Sequence, residues 1–372
     1  MLPQLSGDHV LLRWLREITS SSIDGYRMVL AVGTPSFHRL SVEQYGGART
    51  TAFDGDTTNL DLAEYLARRV SPSASLVDTQ ELDTDAFIAL LERRLAARSP
   101  RLEVSIVRDP TLSAKVICGR NRVRVREGAR FSRAEAEGLY LHEIETHALT
   151  AQNGHAQPRL PMLRIGGPRT TRAQEGLAVF SELYGRVLST PRLMRLVERV
   201  RLVAMAEDGA SFVELYRHLV ARGMPQRDAY LDAQRVCRGG LVEGRGPFTK
   251  DASYLAGLVD VHAYLARTLR YRSPVIGELL VSGRVALDDA LALVWLRRQG
   301  LIDPPRYLPG WAQDWDALLA YFAFASFLPS IQSTVQPSLP AEIEAFIARA
   351  IADASAPPPP PPTPQAAHAP PP

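Results

Sequence analysis

The fold is decided by the stretch Leu141-His142-Glu143-Ile144-Glu145-Thr146-His147, together with a second segment, Gln174-Glu175-Gly176-Leu177-Ala178. Two imidazoles and one carboxylate form a ligand set that catalytic zinc sites use, because it leaves a coordination position for water. We therefore predict that His142, His147 and Glu175 bind a zinc ion.

The spacing of the two histidines predicts an irregular backbone. The pattern is similar to the HExxH of zinc peptidases, with one more residue between the histidines. Each residue turns an α-helix by about 100°, so side chains five residues apart diverge by about 140°. Two local structures bring them together: a π-bulge, or unwinding just before Thr146, which a β-branched side chain favours slightly. Glu143, beside the first histidine, is placed to accept a proton from a zinc-bound water.

The second segment is predicted to lie near the start of a helix. Thr171 and Gln174 have the spacing of a capping box, so we expect the helix to begin at Thr171. Glu175 would then lie in the first turn, where the helix dipole favours the ionised form that binds metal. Gly176 has no side chain, which would allow this helix to approach the histidine helix closely.

Composition narrows the class of protein. The chain has 372 residues, of which 46% are hydrophobic, enough for one large core or two modest ones. Its net charge of +3 results from 43 basic and 40 acidic residues, a balance that does not indicate a nucleic-acid partner. The N-terminus does not resemble a secretory signal, and the most apolar run, 317–328, is too short to cross a bilayer. We expect a cytoplasmic protein without a membrane partner.

Periodicity predicts an α+β protein that is mostly helical. Three strand-like runs, 102–107, 114–118 and 122–126, are expected to form a small antiparallel sheet beside the histidine helix. In the last run arginines alternate with valines, as in a solvated sheet face or in an edge that binds substrate or nucleic acid. Asn153-Gly154 is predicted to be a turn. Apolar residues at helical spacing predict helices over 9–33, 59–69, 85–97, 132–147, 171–188, 191–206, 212–222, 227–237, 250–269, 287–298, 314–327 and 340–354.

We divide the chain into four regions. They are an N-terminal helical region (1–100), a catalytic region (101–330), a C-terminal helix (331–355) and a proline-rich tail (356–372). Proline dominates the tail, which cannot form a packed core and is expected to be disordered.

Several motifs resemble those of a known family. HEIETH at 142–147, Ala151-Gln152-Asn153-Gly154 and QEGLA at 174–178 are similar to the flavohaemoglobin expression-modulating QEGLA motif family, which is related to the microtubule-associated tyrosine carboxypeptidase. The resemblance implies a zincin-like metallopeptidase fold and a zinc-dependent carboxypeptidase that removes a C-terminal residue from a peptide or protein. It also implies that His142, His147 and Glu175 are the zinc ligands and that Glu143 is the general base. The chain differs from these relatives at Glu145 and Gln174. These differences bear on the identity of the substrate more than on metal binding.

A carboxypeptidase must pair the free carboxylate of its substrate with a cation, for which an arginine fork is well suited. Arg235, Arg238 and Lys250 flank a glycine-rich loop and are our candidates, with salt bridges at a helix surface as the alternative explanation. Tyr230 and Tyr254 are candidate donors to the developing oxyanion, or else aromatic residues of the core.

A second class of function stays open at this stage. A regulatory protein could keep the metallopeptidase fold and act by binding a partner without catalysis. The ligand set together with Glu143 favours the enzyme, because a protein that only binds has no chemical need for a base beside the metal.

Overall fold

The computed structural model describes residues 9–51, 55–70, 81–268 and 274–332, and these are mostly helical. The described residues up to Phe322 form one compact unit, and a unit boundary follows Phe322. The helix predicted over 340–354 and the proline-rich tail at 356–372 lie outside the described residues.

The described helices are numbered in chain order. They are α1 (Val10–Leu30), α2 (Pro35–Tyr45), α3 (Asn59–Arg69), α4 (Thr84–Ala97), α5 (Arg133–Leu139), a π-helix (Tyr140–Ala148), α6 (Leu149–His155), α7 (Pro168–Tyr184), α8 (Thr190–Glu207), α9 (Phe212–Ala221), α10 (Gln226–Cys237), α11 (Ser253–Thr268), α12 (Val275–Val281), α13 (Ala290–Arg298), α14 (Gly310–Gln313) and α15 (Trp315–Gln332). Three 3₁₀ turns lie at Pro161–Arg164, Thr249–Ala252 and Leu287–Asp289.

Two small sheets accompany the helices. Strands β2 (Ser105–Asp109), β3 (Val116–Cys118) and β4 (Arg122–Arg126) form one sheet in the order β2-β4-β3, while β1 (Glu81–Leu82) pairs antiparallel with β5 (Phe131–Ser132).

The prediction of a purely antiparallel sheet is wrong. Strands β3 and β4 are antiparallel, as expected for a hairpin, but β2 pairs in parallel with β4, with Ser105 opposite Arg122. The chain reverses between β2 and β3 and again between β3 and β4, so β4 runs in the direction of β2 and lies between the other two strands. Val123 and Val125 are fully buried, which explains why valine alternates with arginine in β4.

Helix α7 begins earlier than its sequence suggests. Pro168 occupies its first turn after Gly167, so the prediction that Thr171 caps this helix is wrong. Proline is well suited to a first turn because its missing N–H has no partner there in any case. Glu175 therefore lies about two turns inside the helix, where the effect of the N-terminal dipole has largely fallen away.

Helix α7 packs between the π-helix and α11. The close approach that Gly176 permits is to α11, not to the histidine helix as predicted: a Cβ added at Gly176 would lie 2.2 Å from the carbonyl oxygen of Gly257. Ile144 of the π-helix and Leu177 of α7 are almost completely buried in the same core. This packing fixes the face of α7 that carries Glu175 against the two histidines.

The predicted turn at Asn153-Gly154 is also wrong, because both residues lie inside α6. The side-chain amide of Asn153 donates from Nδ2 to the backbone carbonyl oxygens of Val281 and Tyr307, at 2.7 and 2.8 Å. These tertiary hydrogen bonds override the local preference of asparagine and glycine for a turn. Across the described parts of the chain, we find no helix with the length and apolar character needed to cross a membrane.

Candidate metal centre

The π-helix brings the two predicted histidine ligands together. It spans Tyr140–Ala148, so the predicted irregularity between the histidines is confirmed, and it takes the π-helical form and not the unwound one. The rings of His142 and His147 lie 4.9 Å apart between centroids, at 84° to each other. The Thr146 hydroxyl donates to the carbonyl oxygen of Leu141, five residues earlier, at 3.0 Å and so supports the wide turn.

Glu175 completes a three-residue cluster that fits a metal ion. Its Oε2 lies 3.5 Å from Nε2 of His142 and 3.4 Å from Nε2 of His147. The ligand atoms of all three residues lie within 4.8 Å of one another. Oε2 is buried and has no hydrogen-bond partner among the described residues, which is costly for a carboxylate oxygen unless a cation binds it. Two imidazole nitrogens and one carboxylate oxygen are a set that zinc accepts.

The charges of this cluster keep Glu175 ionised and hold a proton on the metal-free His142. Burial raises the pKa of Glu175, but the imidazoles of His142 and His147, 3.5 and 3.4 Å from its Oε2, outweigh it and hold that pKa well below its ordinary value. Burial lowers the pKa of His142, but the neighbouring carboxylates of Glu175 and Glu182 raise it to about 10. The carboxylate is therefore ionised, and a metal ion would replace a proton shared with the histidines.

A second carboxylate orients His142 from behind. Oε1 of Glu182 lies 2.8 Å from Nδ1 of His142, on the side of the ring away from Glu175. Both carboxylate oxygens of Glu182 accept from Arg192, each at 3.0 Å. Burial raises the pKa of Glu182, but His142 and Arg192 together lower it to about 2. A carboxylate at Nδ1 leaves Nε2 free for a metal and makes the imidazole a stronger ligand.

His147 has a different partner behind its ring. Nη1 of Arg284 lies 3.5 Å from Nδ1 of His147, and Nη2 donates to the backbone carbonyl of His147 at 3.0 Å. The same guanidinium donates to Oε1 of Gln174 at 2.7 Å. The two histidines are thus supported by groups of opposite charge.

Of the predicted substrate-binding cations, Lys250 is the one that contacts the cluster. Its Nζ lies 3.2 Å from Oε1 of Glu175. The 3₁₀ turn Thr249–Ala252 carries this lysine, and it is anchored to α2: Ser41 Oγ lies 2.9 Å from Thr249 Oγ1 and accepts from the Thr249 amide at 2.9 Å. These buried hydrogen bonds explain how a lysine on a short turn is held at one position.

Arg235 supports the same turn and is already paired. It donates to both carboxylate oxygens of Asp251, at 2.8 and 2.7 Å. Arg199 is also near this carboxylate, with Nε 4.0 Å from Oδ2, and its guanidinium lies 5.3 Å from the centre of the Tyr254 ring. Arg235 therefore acts on the site through Asp251 and is not an open cation.

The remaining candidates, Tyr254, Arg238 and Tyr230, have different surroundings. The ring of Tyr254 is buried and lies nearly parallel to that of His142, with 6.4 Å between centroids. Burial raises the pKa of Tyr254, so its hydroxyl stays protonated and can donate. Arg238 is exposed, and its guanidinium lies over the ring of Phe248. Tyr230 is half-exposed and packs edge-on against Phe212.

Comparison with known families agrees with this geometry. Residues 2–330 match the profile of the family described as microtubule-associated tyrosine carboxypeptidase. The chain belongs to this family. No individually curated protein matches it significantly. The family name denotes a carboxypeptidase, a class that cleaves at a free C-terminus, and the match includes every residue of the candidate centre.

The sequence analysis did not identify Arg192 or Arg284. Each is a single arginine without a recognisable motif around it, and each reaches the site only through tertiary packing. The sequence does contain a signal for Glu182, which lies seven positions after Glu175 and hence on the same helix face.

Proposed function

We propose that the protein is a zinc-dependent metallocarboxypeptidase that removes a C-terminal residue from a peptide or protein. The observation that carries the proposal is the convergence of His142, His147 and Glu175, with a buried carboxylate oxygen that has no partner among the described residues. When zinc is bound, it supplies an activated water and polarises the substrate carbonyl. The family name and the QEGLA segment support the same class of reaction.

The roles of the chain's own residues follow from their positions. Glu143 is half-buried on the π-helix, next to His142, and takes a proton from the attacking water before delivering it to the leaving amine. Tyr254, protonated and buried beside His142, donates a hydrogen bond to the developing oxyanion. Lys250 is part-exposed and binds the free carboxylate of the substrate with donors that Glu175 does not use.

The test is hydrolysis of a pool of peptides that vary at the C-terminus, followed by mass spectrometry. We expect loss of a single C-terminal residue from free peptides and no cleavage of the same peptides carrying a C-terminal amide. Equal cleavage of both forms would indicate an endopeptidase. If the zinc-loaded protein cleaves none of them, the enzymatic proposal fails, and recovery of a partner protein with the intact chain would then favour the regulatory alternative.

A further inference from the structure

A closed ring of polar contacts fixes the His147 end of the π-helix. The backbone carbonyl of His147 accepts from Nη2 of Arg284 at 3.0 Å, and Nη1 of the same guanidinium donates to Oε1 of Gln174 at 2.7 Å. Thr150 Oγ1 closes the ring: it lies 2.8 Å from Gln174 Oε1 and 3.3 Å from the His147 carbonyl, and its one proton is shared between these oxygens and the Thr146 carbonyl at 2.8 Å. The ring therefore links a metal-ligand residue to α7 and to the segment after α12.

Gln174 fits this ring with only one end of its amide. Its Oε1 accepts from Arg284 Nη1 and contacts the Thr150 hydroxyl, whereas its Nε2 is buried and has no partner among the described residues. The amide cannot be turned round, because Nε2 would then face Arg284 Nη1, and a guanidinium has donors only. The surroundings of position 174 thus suit a side chain that only accepts hydrogen bonds.

Arg284 is held there without a neutralising charge. Within the described residues its hydrogen bonds go to neutral oxygens, those of His147 and Gln174, and it forms no ion pair with a carboxylate. Withdrawing a guanidinium from water costs free energy, which carbonyl oxygens offset only in part. Arg192 differs, since it is neutralised by Glu182 behind the other histidine.

We propose that Arg284, held in place by Gln174, is a positioning residue for the metal ligand His147. Its guanidinium fixes the carbonyl at the end of the π-helix and thereby holds the His147 ring opposite that of His142. Gln174 is neutral and leaves this guanidinium without a paired carboxylate, so the charge of Arg284 repels the metal and offsets a smaller part of the affinity that positioning provides. This inference rests on the metal centre proposed above.

The test measures metal binding directly, by titrating the metal-free protein with Co²⁺ and Zn²⁺ and recording the visible Co²⁺ bands. For Arg284→Met we expect binding about 10–100-fold weaker and shifted Co²⁺ bands, since supporting residues of ligands have effects of this size. Arg284→Lys can keep one hydrogen bond but not the two-pronged fork, so it should recover only part of the affinity. Arg201→Met removes an arginine of α8 that pairs with Glu64 of α3, and we expect it to bind metal as the wild type does.

If Arg284→Met does not fold, Gln174→Glu provides a second test, with the opposite expected effect on metal affinity. Gln174→Glu keeps the acceptor and neutralises Arg284, so metal should bind more tightly, on the order of 10-fold. Weaker binding by Gln174→Glu, or wild-type affinity and Co²⁺ bands in a folded Arg284→Met, would overturn the proposal. A wild-type protein that binds no metal would overturn the metal centre itself, which separates the two failures.

Discussion

Glu143 and Glu145 lie two residues apart on the π-helix, and their surroundings give them different roles. Glu145 is buried, with its Oε1 2.7 Å from Nε of Arg98 and 2.7 Å from the hydroxyl of Tyr140. Its carboxylate is fully occupied in tying the π-helix to the end of α4. Glu143 is half-buried beside the proposed ligand His142 and is therefore the one of the two that we propose as the general base.

Replacing Glu143 by glutamine should abolish catalysis without removing zinc. The amide preserves shape but cannot accept a proton, and loss of a general base costs about 10²–10⁴-fold in rate. Peptide hydrolysis and zinc content measured on the same preparation check this. Glu145→Gln is the matched control: we expect it to lower the free energy of unfolding by about 1–3 kcal/mol, because it weakens a buried hydrogen-bonded pair, and to keep activity in the folded protein. Near wild-type hydrolysis by Glu143→Gln would exclude it as the base.

Arg186 is a residue in an unfavourable conformation whose cost can be measured. It follows α7 with φ at 58°, and its amide bonds to the Leu183 carbonyl while that of Val187 bonds to Glu182, an arrangement that usually places glycine at this position. A left-handed conformation costs a residue with a side chain roughly 1–2 kcal/mol. We expect Arg186→Gly to raise the free energy of unfolding by about 1 kcal/mol in urea titrations. Arg186→Ala keeps the strained φ and should give no such gain; equal gains would mean that the arginine side chain, not the backbone, is unfavourable.

The predicted bounds of secondary-structure elements were confirmed where residues within the element itself determine them. Helix α3 and strand β4 have the predicted bounds, because a capping box and a strict alternation define them. Strand order was not predictable in this way, since it depends on which edge of β4 receives β2. Residues 141–147 alone also do not determine whether the histidine segment forms a π-helical turn or unwinds. Its π-helical turn is supported by Thr146, whose hydroxyl also lies 3.0 Å from that of Ser181 on α7.

Asp251, in the 3₁₀ turn Thr249–Ala252, should make the free energy of unfolding depend on pH in the acid range. Burial raises the pKa of Asp251, but the charges of Arg199 and Arg235 outweigh it and lower that pKa to about 2, from an ordinary 3.8. A carboxylate with a lowered pKa stabilises the folded state fully above its unfolded value. This contribution is lost as the pH falls from about 4 towards 2.

Asp251→Asn tests this assignment. At neutral pH we expect it to lower the free energy of unfolding by about 3–5 kcal/mol, because two arginines lose their buried counter-charge. The difference between the variant and the wild type should shrink as the pH falls below about 4, where Asp251 itself becomes protonated in the unfolded chain. Urea titrations at pH 6 and pH 3 measure both values. A difference that is the same at the two pH values would show that the ion pairs do not set it.

The site as a whole is assembled from segments distant in the chain. The sequence was sufficient to select His142, His147 and Glu175 as candidates, and the structure brings their ligand atoms together, because two short motifs contain them. It was not sufficient for Arg192 or Arg284, which belong to no local pattern and whose roles depend on the packing of α7 against the π-helix. Lys250 was predicted as a cation near a loop, but its contact with Glu175 follows from the anchoring of its turn to α2.

Because the ligands come from the π-helix and α7, metal binding should stabilise the whole unit that contains them. A ligand that binds only the folded state adds RT ln(1 + [L]/Kd), about 4 kcal/mol when free zinc exceeds Kd by a thousand-fold. For a chain of this size each kcal/mol raises Tm by roughly 1–2 °C. We expect thermal unfolding of the chelator-treated protein to shift upward by several degrees on addition of zinc.

Glu175→Ala and the double variant His142→Ala, His147→Ala should lose most of this zinc-dependent shift, since each removes ligands from the centre. The comparison is made within each variant, with and without zinc, so that any change in the stability of the metal-free protein cancels. Arg186→Gly lies outside the ligand set and should keep the full shift. An equal shift in the wild type and in the double histidine variant would place the stabilising zinc elsewhere and would contradict the assignment of these ligands.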